Sequence, residues 1–205
     1  MVASPLPLGI LVSGRGSNME AIANAIEAGE VPARIQVVIS DRPQARALDL
    51  ARQRGLKALS LAPGAFPARQ AYDRALAAAL KEEGVKLVVL AGFMRLLSQD
   101  FLDHFPGRVI NIHPALLPAF PGINAQRQAL DYGVKYSGCT VHFVDAGTDT
   151  GPIIAQAVVA VRDDDTPETL AARILVEEHR LYPEVIKWIA EGRVELQGRR
   201  VRVKA

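Results

Sequence analysis

The stretch "VKLVVLAG" (residues 85–92) is apolar at nearly every position and ends in glycine. A strand with one exposed face alternates apolar and polar residues, so this run predicts a strand buried on both faces. Four further strand-like runs are LGILVSG (8–14), IQVVIS (35–40), KALSL (57–61) and RVINIH (108–113). Longer segments with apolar residues at helical spacing lie between them, and most end at glycine. This alternation predicts an α/β fold, a doubly wound and mostly parallel sheet of Rossmann type.

The pattern changes after residue 134. Two strand-like runs, SGCTVHFVD and IIAQAVVAVR, are separated by a short loop and predict an antiparallel C-terminal extension of the sheet. A long helix follows, which Thr166 can cap and Gly192 can end, and we expect Pro183 to kink or split it. The final segment RVELQGRRVRVK predicts a hairpin that turns near Gly198. With no internal repeat and no linker, residues 1–205 are expected to form a single catalytic domain.

Composition limits the class of protein. Of the 205 residues 49% are hydrophobic, enough for a sizeable core, and the net charge of +2 disfavours a dedicated nucleic-acid binder. The only cysteine, Cys139, allows neither an intramolecular disulfide nor a cysteine-based metal cage. The N-terminal stretch MVASPLPLG does not resemble a signal peptide, and no apolar run is long enough to span a membrane. We therefore expect a soluble, cytoplasmic protein without nucleic-acid or membrane partners.

A glycine-rich loop follows the first predicted strand. Gly14 and Gly16 precede the first predicted helix, where backbone N–H groups and the helix dipole can hold a phosphate. A second interpretation is local, since Ser17 and Glu20 match an S-x-x-E capping box that requires no ligand. A dinucleotide site is disfavoured because Met19 occupies the position of the third glycine. The loop alone leaves phosphate binding and capping open.

An amide and an imidazole end the predicted strand VINIH. Asn111 and His113 are two residues apart, so on a strand they point to the same side, at the edge where open α/β sheets bind ligands. An amide donor and a titratable ring suit attack at a carbonyl, because fixed donors stabilise the oxyanion. The alternative is a hydrogen-bonded structural histidine. A carboxylate to orient the ring is available in Asp149 or Asp145, and the chemistry alone does not choose between them.

The other chemical signals are weaker. His142 lies within the alternation TVHFV, where contact with solvent or a neighbouring side chain is the ordinary expectation. The histidines are scattered without H-x-x-x-H spacing, so no metal is expected. There is no G-x-S-x-G nucleophile elbow, so covalent catalysis is not indicated.

Together the motifs resemble the phosphoribosylglycinamide formyltransferase family, folate-dependent enzymes of purine synthesis. The matching segments run in order along the chain: SGRGSN (13–18), AYDRAL (71–76), LAGFMRLLS (90–98), NIHPALLP (111–118), VHFVD (141–145) with GPII (151–154), and EEHRLYP (177–183). The resemblance implies a formyltransferase-like fold and transfer of the formyl group from 10-formyltetrahydrofolate to the amine of glycinamide ribonucleotide. These small molecules are the implied partners, and the protein is expected to be a monomer or homodimer.

The resemblance also implies residue roles. Asn111, His113 and Asp149 match the family's catalytic positions, which selects Asp149 over Asp145. Residues matched to the substrate phosphate loop and the ribonucleotide contact are Gly16, Ser17, Asn18 and Glu178. Residues matched to folate contacts, besides Asn111 and Asp149, are Arg69, Met94, Arg95, Leu96, Leu97, Asp145, Ala146, Gly147 and Thr148. The family often has an acidic residue in place of Ala146 and an aliphatic one in place of Thr148.

A direct mechanism follows as a hypothesis. The neutral amine attacks the formyl carbon while Asn111 and a protonated His113 stabilise the oxyanion. His113, or a water it holds, delivers a proton to the departing folate nitrogen, and Asp149 raises the pKa of the histidine.

Three other functions are compatible with parts of this pattern. A formyltetrahydrofolate deformylase would share the site but usually carries an N-terminal regulatory domain, for which the first strand near residue 8 leaves no room. A methionyl-tRNA formyltransferase would carry an additional C-terminal domain. A non-catalytic nucleotide-binding domain would need the glycine loop alone.

Overall fold

The computed structural model describes residues 4–204 of the chain. Residues 1–3 of the stretch MVASPLPLG, which does not resemble a signal peptide, lie outside the described residues. The described residues form a seven-stranded sheet whose strands lie in the order β3 (Ala58–Ser60), β2 (Ala33–Ser40), β1 (Leu6–Val12), β4 (Leu87–Leu90), β5 (Val109–His113), β6 (Tyr136–Phe143) and β7 (Ile153–Ala160). A separate two-stranded sheet pairs β8 (Val194–Gln197) with β9 (Arg200–Val203). It divides into two compact units, one ending at Ile110 and the other beginning at Asn111. The α/β architecture predicted from the apolar runs is confirmed.

The first unit follows the predicted alternation. Its elements are β1 (Leu6–Val12), α1 (Ser17–Glu27), β2 (Ala33–Ser40), α2 (Arg46–Gln53), β3 (Ala58–Ser60), α3 (Arg69–Glu82), β4 (Leu87–Leu90) and α4 (Gln99–Leu102). β1 pairs in parallel with β2 and β4, and β2 pairs in parallel with β3. All four residues of β4 are buried, as its continuous apolar run predicts.

The start of α1 differs from the capping-box prediction. Gly16 is the N-cap in the left-handed conformation, with φ of 85°, and no side chain caps this end of the helix. Ser17 is thus the first helical residue, one position too late to act as the cap, and the predicted Ser17–Glu20 box is wrong. Close packing adds to the requirement for glycine, because a Cβ at Gly16 would lie 2.7 Å from the Cβ of Ala47.

The second unit contains the predicted antiparallel extension. Strand β5 (Val109–His113) crosses the unit boundary in sequence, followed by α5 (Ala125–Tyr132), β6 (Tyr136–Phe143), β7 (Ile153–Ala160), α6 (Pro167–Ala190), β8 (Val194–Gln197) and β9 (Arg200–Val203). β6 and β7 pair antiparallel, with Cys139 opposite Ala157, and β8 and β9 form the predicted hairpin. Helix α5 was not predicted from the sequence.

Helix α6 is continuous over 24 residues. Thr166 caps it as predicted, accepting a hydrogen bond from the Thr169 N–H, while the Thr169 hydroxyl accepts one from the Thr166 N–H. Of the two predicted effects of Pro183 the split is excluded, since the helix runs through this proline, and the kink stays a prediction. Pro183 and its neighbours Tyr182 and Val185 are buried, so burial of this helix face outweighs the lost backbone hydrogen bond.

No helix within residues 4–204 combines the length and the apolar character that crossing a membrane requires.

Candidate active site

The carboxylate of Asp149 lies close to three polar groups of the second unit. Its Oδ2 accepts a hydrogen bond from the Gly122 N–H at 2.8 Å and lies 3.3 Å from Nδ1 of His113. Its Oδ1 lies 3.6 Å from Nε2 of His142. Asp149 adopts a positive φ of 54° in the loop between β6 and β7, a conformation that aspartate tolerates better than most residues. One loop residue therefore contacts two imidazoles and a backbone donor.

Both ring nitrogens of His113 face acceptors. This last residue of β5 is 4% exposed, and its Nε2 lies 2.8 Å from the carbonyl oxygen of Phe120. Its Nδ1 faces the Asp149 carboxylate. Two acceptors are satisfied together only when both nitrogens carry a proton, so the hydrogen-bonding geometry favours the imidazolium form.

Burial opposes that charge. Desolvation lowers the pKa of His113 and outweighs the Phe120 carbonyl and Asp149, which both raise it, while His142 lowers it further. The net pKa is below the usual 6.5. The predicted direction of the Asp149 contribution to this pKa is confirmed, whereas the net lowering comes from burial of the ring, which the sequence does not show.

The pKa of Asp149 is lowered although the carboxyl is partly buried. Desolvation raises the pKa of this carboxyl, but the adjacent His142 ring, the Gly122 N–H and the nearby His113 ring together lower it. The net pKa lies below 3.8. Asp149 is therefore ionised at neutral pH.

His142 is a member of this cluster that the sequence analysis missed. It is 2% exposed on β6, and its Nδ1 donates to the Phe143 carbonyl at 2.8 Å. This leaves Nε2 as an acceptor for Nδ2 of Asn111, 3.3 Å away. An amide nitrogen has two protons, so His142 orients the Asn111 side chain while one N–H stays available. The signal was its position in the VHFVD segment, seven residues before Asp149.

The loop between β6 and β7 separates the two candidate carboxylates. Asp145 stabilises its own turn, where its Oδ1 accepts hydrogen bonds from the Gly147 N–H at 3.2 Å and the Thr150 hydroxyl at 2.6 Å. Asp149, not Asp145, contacts His113. Ala146, Gly147 and Thr148 lie exposed between them.

In the first unit, the helix start that follows Gly16 has the form of an anion site. Gly16 is buried, and Ser17 and Asn18 are half-buried at the first turn of α1. Because no side chain caps this end of the helix, its first N–H groups remain suited to a phosphate.

In the segment 93–98 of the first unit, two apolar side chains are exposed while the backbone is held by hydrogen bonds. Met94 and Leu96 are 62% and 53% exposed, whereas Leu97 is buried. The guanidinium of Arg95 lies 5.3 Å from the centre of the Tyr72 ring. The backbone of this loop is hydrogen-bonded to the fold while these two side chains stay available to contact a ligand.

Arg69 holds the backbone of this segment. Its Nη2 donates to the Leu96 carbonyl at 2.8 Å, and half of its side chain is exposed. Arg69 therefore shapes the 93–98 segment while keeping exposed surface.

Glu178 is buried on α6, with 7% exposure, and has partners within the fold. Burial first, and then the charge of Glu178, raise the pKa of Cys139 to about 12, so this thiol is unreactive. Among residues 4–204 no group of three or more His, Cys, Asp or Glu side chains is placed to hold a metal ion.

A model of the formyl transferase family matches residues 8–186, a span that includes parts of both units. The fold and this family match together define the protein as a formyltransferase enzyme. Within this class the chain belongs to the phosphoribosylglycinamide formyltransferase family.

Two relatives carry this assignment. The phosphoribosylglycinamide formyltransferase of Escherichia coli (strain K12) is 43% identical over 187 residues, which cover 91% of this chain and 88% of the relative. The crystal structure of glycinamide ribonucleotide transformylase 1 from Symbiobacterium toebii is 54% identical, covers 99% of this chain and 96% of that one, and superposes with a TM-score of 0.97.

A solved formyltetrahydrofolate deformylase from Pseudomonas syringae pv. tomato shares the fold alone. It superposes with a TM-score of 0.91 at 23% identity, and the match covers 99% of this chain and 67% of that chain.

Proposed function

We propose that the enzyme transfers the formyl group of 10-formyltetrahydrofolate to the amine of 5'-phosphoribosylglycinamide in de novo purine biosynthesis. The acceptor is supported by the relatives, which are named for it. The observation that carries the chemistry is the contact of Asp149 with His113 at 3.3 Å, beside the oriented amide of Asn111. Folate serves as the formyl donor, and no metal takes part.

Asn111 stabilises the oxyanion in this account. Attack of the neutral amine on the formyl carbon forms a C–N bond and moves an electron pair onto the formyl oxygen. The Asn111 N–H that His142 does not use donates to that oxygen. A fixed donor of this kind typically contributes about 3 kcal/mol to the transition state, because it needs no reorganisation during the reaction.

His113 transfers the proton. Because its pKa is lowered, His113 is largely neutral at neutral pH before the reaction. When the amine attacks, its nitrogen becomes positively charged and acidic, and the neutral His113 ring accepts the proton that it loses. Asp149 stabilises the resulting imidazolium. The proton then passes, directly or through water, to the folate nitrogen as the C–N bond to the donor breaks. Nε2 must leave the Phe120 carbonyl if it is the nitrogen that reaches the substrate.

The binding roles proposed are those that the family resemblance implies. We assign the acceptor phosphate to the helix start formed by Gly16, Ser17 and Asn18, and another contact with the ribonucleotide to Glu178. The residues assigned to the folate donor, besides Asn111 and Asp149, are Arg69, Met94, Arg95, Leu96, Leu97, Asp145, Ala146, Gly147 and Thr148. Leu97 would act from the core, since it is only 4% exposed.

The proposal extends to the location, oligomeric state, partners and domain organisation of the enzyme. The enzyme acts in the cytoplasm, as a monomer or homodimer, on small molecules rather than on nucleic acid or a membrane. Residues 1–205 work as one catalytic domain; the family match across both units supports this.

Hydrolysis of the same donor is the second candidate, favoured by the shared fold of the deformylase. Donor labelled with ¹⁴C in the formyl group separates the two activities when it is incubated with and without the acceptor. The proposal predicts acceptor-dependent label in the ribonucleotide and little formate. Acceptor-independent release of labelled formate would instead identify a deformylase, and label retained on folate would exclude both.

A further inference from the structure

A buried carboxylate, Asp73, lies outside the catalytic and binding residues assigned above. It is on α3 and only 2% exposed. The other buried residues of this helix are Tyr72 and apolar side chains. A carboxylate buried on an otherwise apolar helix face disfavours folding unless partners compensate for its lost hydration. The partners of Asp73 therefore indicate its role.

Those partners belong to the segment 93–98 and to the arginine that holds it. Oδ2 of Asp73 accepts a hydrogen bond from the Ser98 N–H at 3.1 Å. The same oxygen lies 3.7 Å from Nε of Arg69, whose Nη2 donates to the Leu96 carbonyl. Asp73 thus fixes the segment at Ser98 directly and near Leu96 through the orientation of Arg69.

Two other contacts complete the anchoring. The Ser13 hydroxyl accepts a hydrogen bond from the Met94 N–H at 2.9 Å, and the Tyr72 ring lies against Arg95. The backbone of the segment is therefore held along its length while Met94 and Leu96 point to solvent. Holding a binding loop in one conformation before the ligand arrives lowers the entropy lost on binding.

We propose that Asp73 is a positioning residue for the formyl donor. It does not contact the donor; it fixes the conformation in which the segment 93–98 presents its side chains. The inference rests on the proposed function, which assigns Met94 and Leu96 to the folate.

The chain offers a matched control. Asp100 of α4 also pairs with an arginine of α3, since its Oδ2 lies 3.0 Å from Nε of Arg74. This pair is exposed and contacts no residue of the segment 93–98 in its hydrogen bonding. Asp100→Asn therefore removes a carboxylate that pairs with another arginine of α3, without releasing the segment.

The experiment measures steady-state kinetics with each substrate varied in turn, together with the unfolding temperature, for Asp73→Asn, Asp73→Leu and Asp100→Asn. Asp73→Leu should raise the KM for 10-formyltetrahydrofolate roughly tenfold, because the partly buried Ser98 N–H loses its acceptor. Asp73→Asn should raise it by roughly threefold, since an amide oxygen still accepts but no longer orients Arg69 by charge. The kcat and the KM for 5'-phosphoribosylglycinamide should stay within about twofold of wild type, and Asp100→Asn should change none of the three.

Two results would overturn the inference. A lower unfolding temperature with an unchanged donor KM in Asp73→Leu would mean that the carboxylate supports folding alone. If that variant does not fold, a wild-type donor KM in Asp73→Asn has the same meaning. Failure of the proposed function is distinguishable, because the wild-type enzyme would then transfer no formyl group to 5'-phosphoribosylglycinamide before any variant is compared.

Discussion

The Asp149 carboxylate reaches Nδ1 of His113 at 3.3 Å, and its other oxygen lies 3.6 Å from His142. The Gly122 N–H fixes the oxygen that faces His113. A carboxylate held by a backbone donor orients a histidine without moving itself, which is the arrangement that proton transfer requires.

Asp149→Asn tests this contact. The amide preserves shape but loses the charge that stabilises the imidazolium, so we expect kcat to fall by about 10²–10⁴-fold with the fold retained. Formyl transfer at saturating substrates and far-UV circular dichroism measure the two effects. The control is Asp163→Asn, which removes a 93% exposed carboxylate of the same unit. Activity of Asp149→Asn close to that of the control would remove Asp149 from the mechanism.

His142 is expected to act through Asn111. His142→Phe removes the acceptor for the Asn111 amide, which can then rotate away from the oxyanion. We expect kcat to fall by roughly 10–100-fold, less than for loss of His113, because the oxyanion donor is misplaced and not removed. His142→Gln should recover part of the loss, since a glutamine oxygen can accept the same hydrogen bond. Equal losses in both variants would contradict this role.

Stability should fall on acidification because of His113. Its pKa is lowered in the folded state, so the unfolded chain binds more protons as the pH falls below about 6.5, the ordinary value for histidine. The stability that the neutral ring contributes is present above that pH and is lost towards the lower folded-state pKa. His113→Gln cannot titrate, so its unfolding temperature should drop less between pH 7.5 and pH 5 than that of wild type, as measured by calorimetry. An equal drop would mean that His113 is not a source of the acid sensitivity.

Asp149 adds to the same trend at lower pH. Its folded-state pKa is also lowered, so its contribution is present above about pH 3.8 and is lost below it. The effect of His113→Gln should therefore appear between pH 7.5 and pH 5, before Asp149 is protonated.

Gly16→Ala tests the phosphate site. The new Cβ would meet Ala47 at 2.7 Å at a position with φ of 85°, so the start of α1 must shift. We expect the KM for 5'-phosphoribosylglycinamide to rise by about tenfold or more, with the KM for the folate donor little changed. The control is Gly29→Ala, which has a similar φ of 74° but open space around its Cβ, and thus carries the backbone strain alone. The same acceptor KM in both variants would exclude the loop as a phosphate site.

The fold was predictable where local pattern decides it. The buried run of β4 indicated a parallel strand, and Thr166 marked the start of α6, because both signals lie in a few adjacent residues. The capping box at Ser17 was wrong, and the helix does not split at Pro183, since the left-handed Gly16 and the burial around Pro183 depend on packing.

The candidate site was predictable only in part. Strand spacing indicated that Asn111 and His113 act together, and the family resemblance selected Asp149. The burial of His142 and the lowered pKa of His113 depend on neighbours brought together by folding, which a single sequence does not reveal.

A double-mutant cycle of His113→Gln and Asp149→Asn tests the central claim most directly. If the carboxylate acts through the histidine, kcat/KM for the double variant should be no lower than that of the more damaged single variant, because either change already disables the pair. Losses that multiply in the double variant would mean that the two residues act independently and would contradict the account.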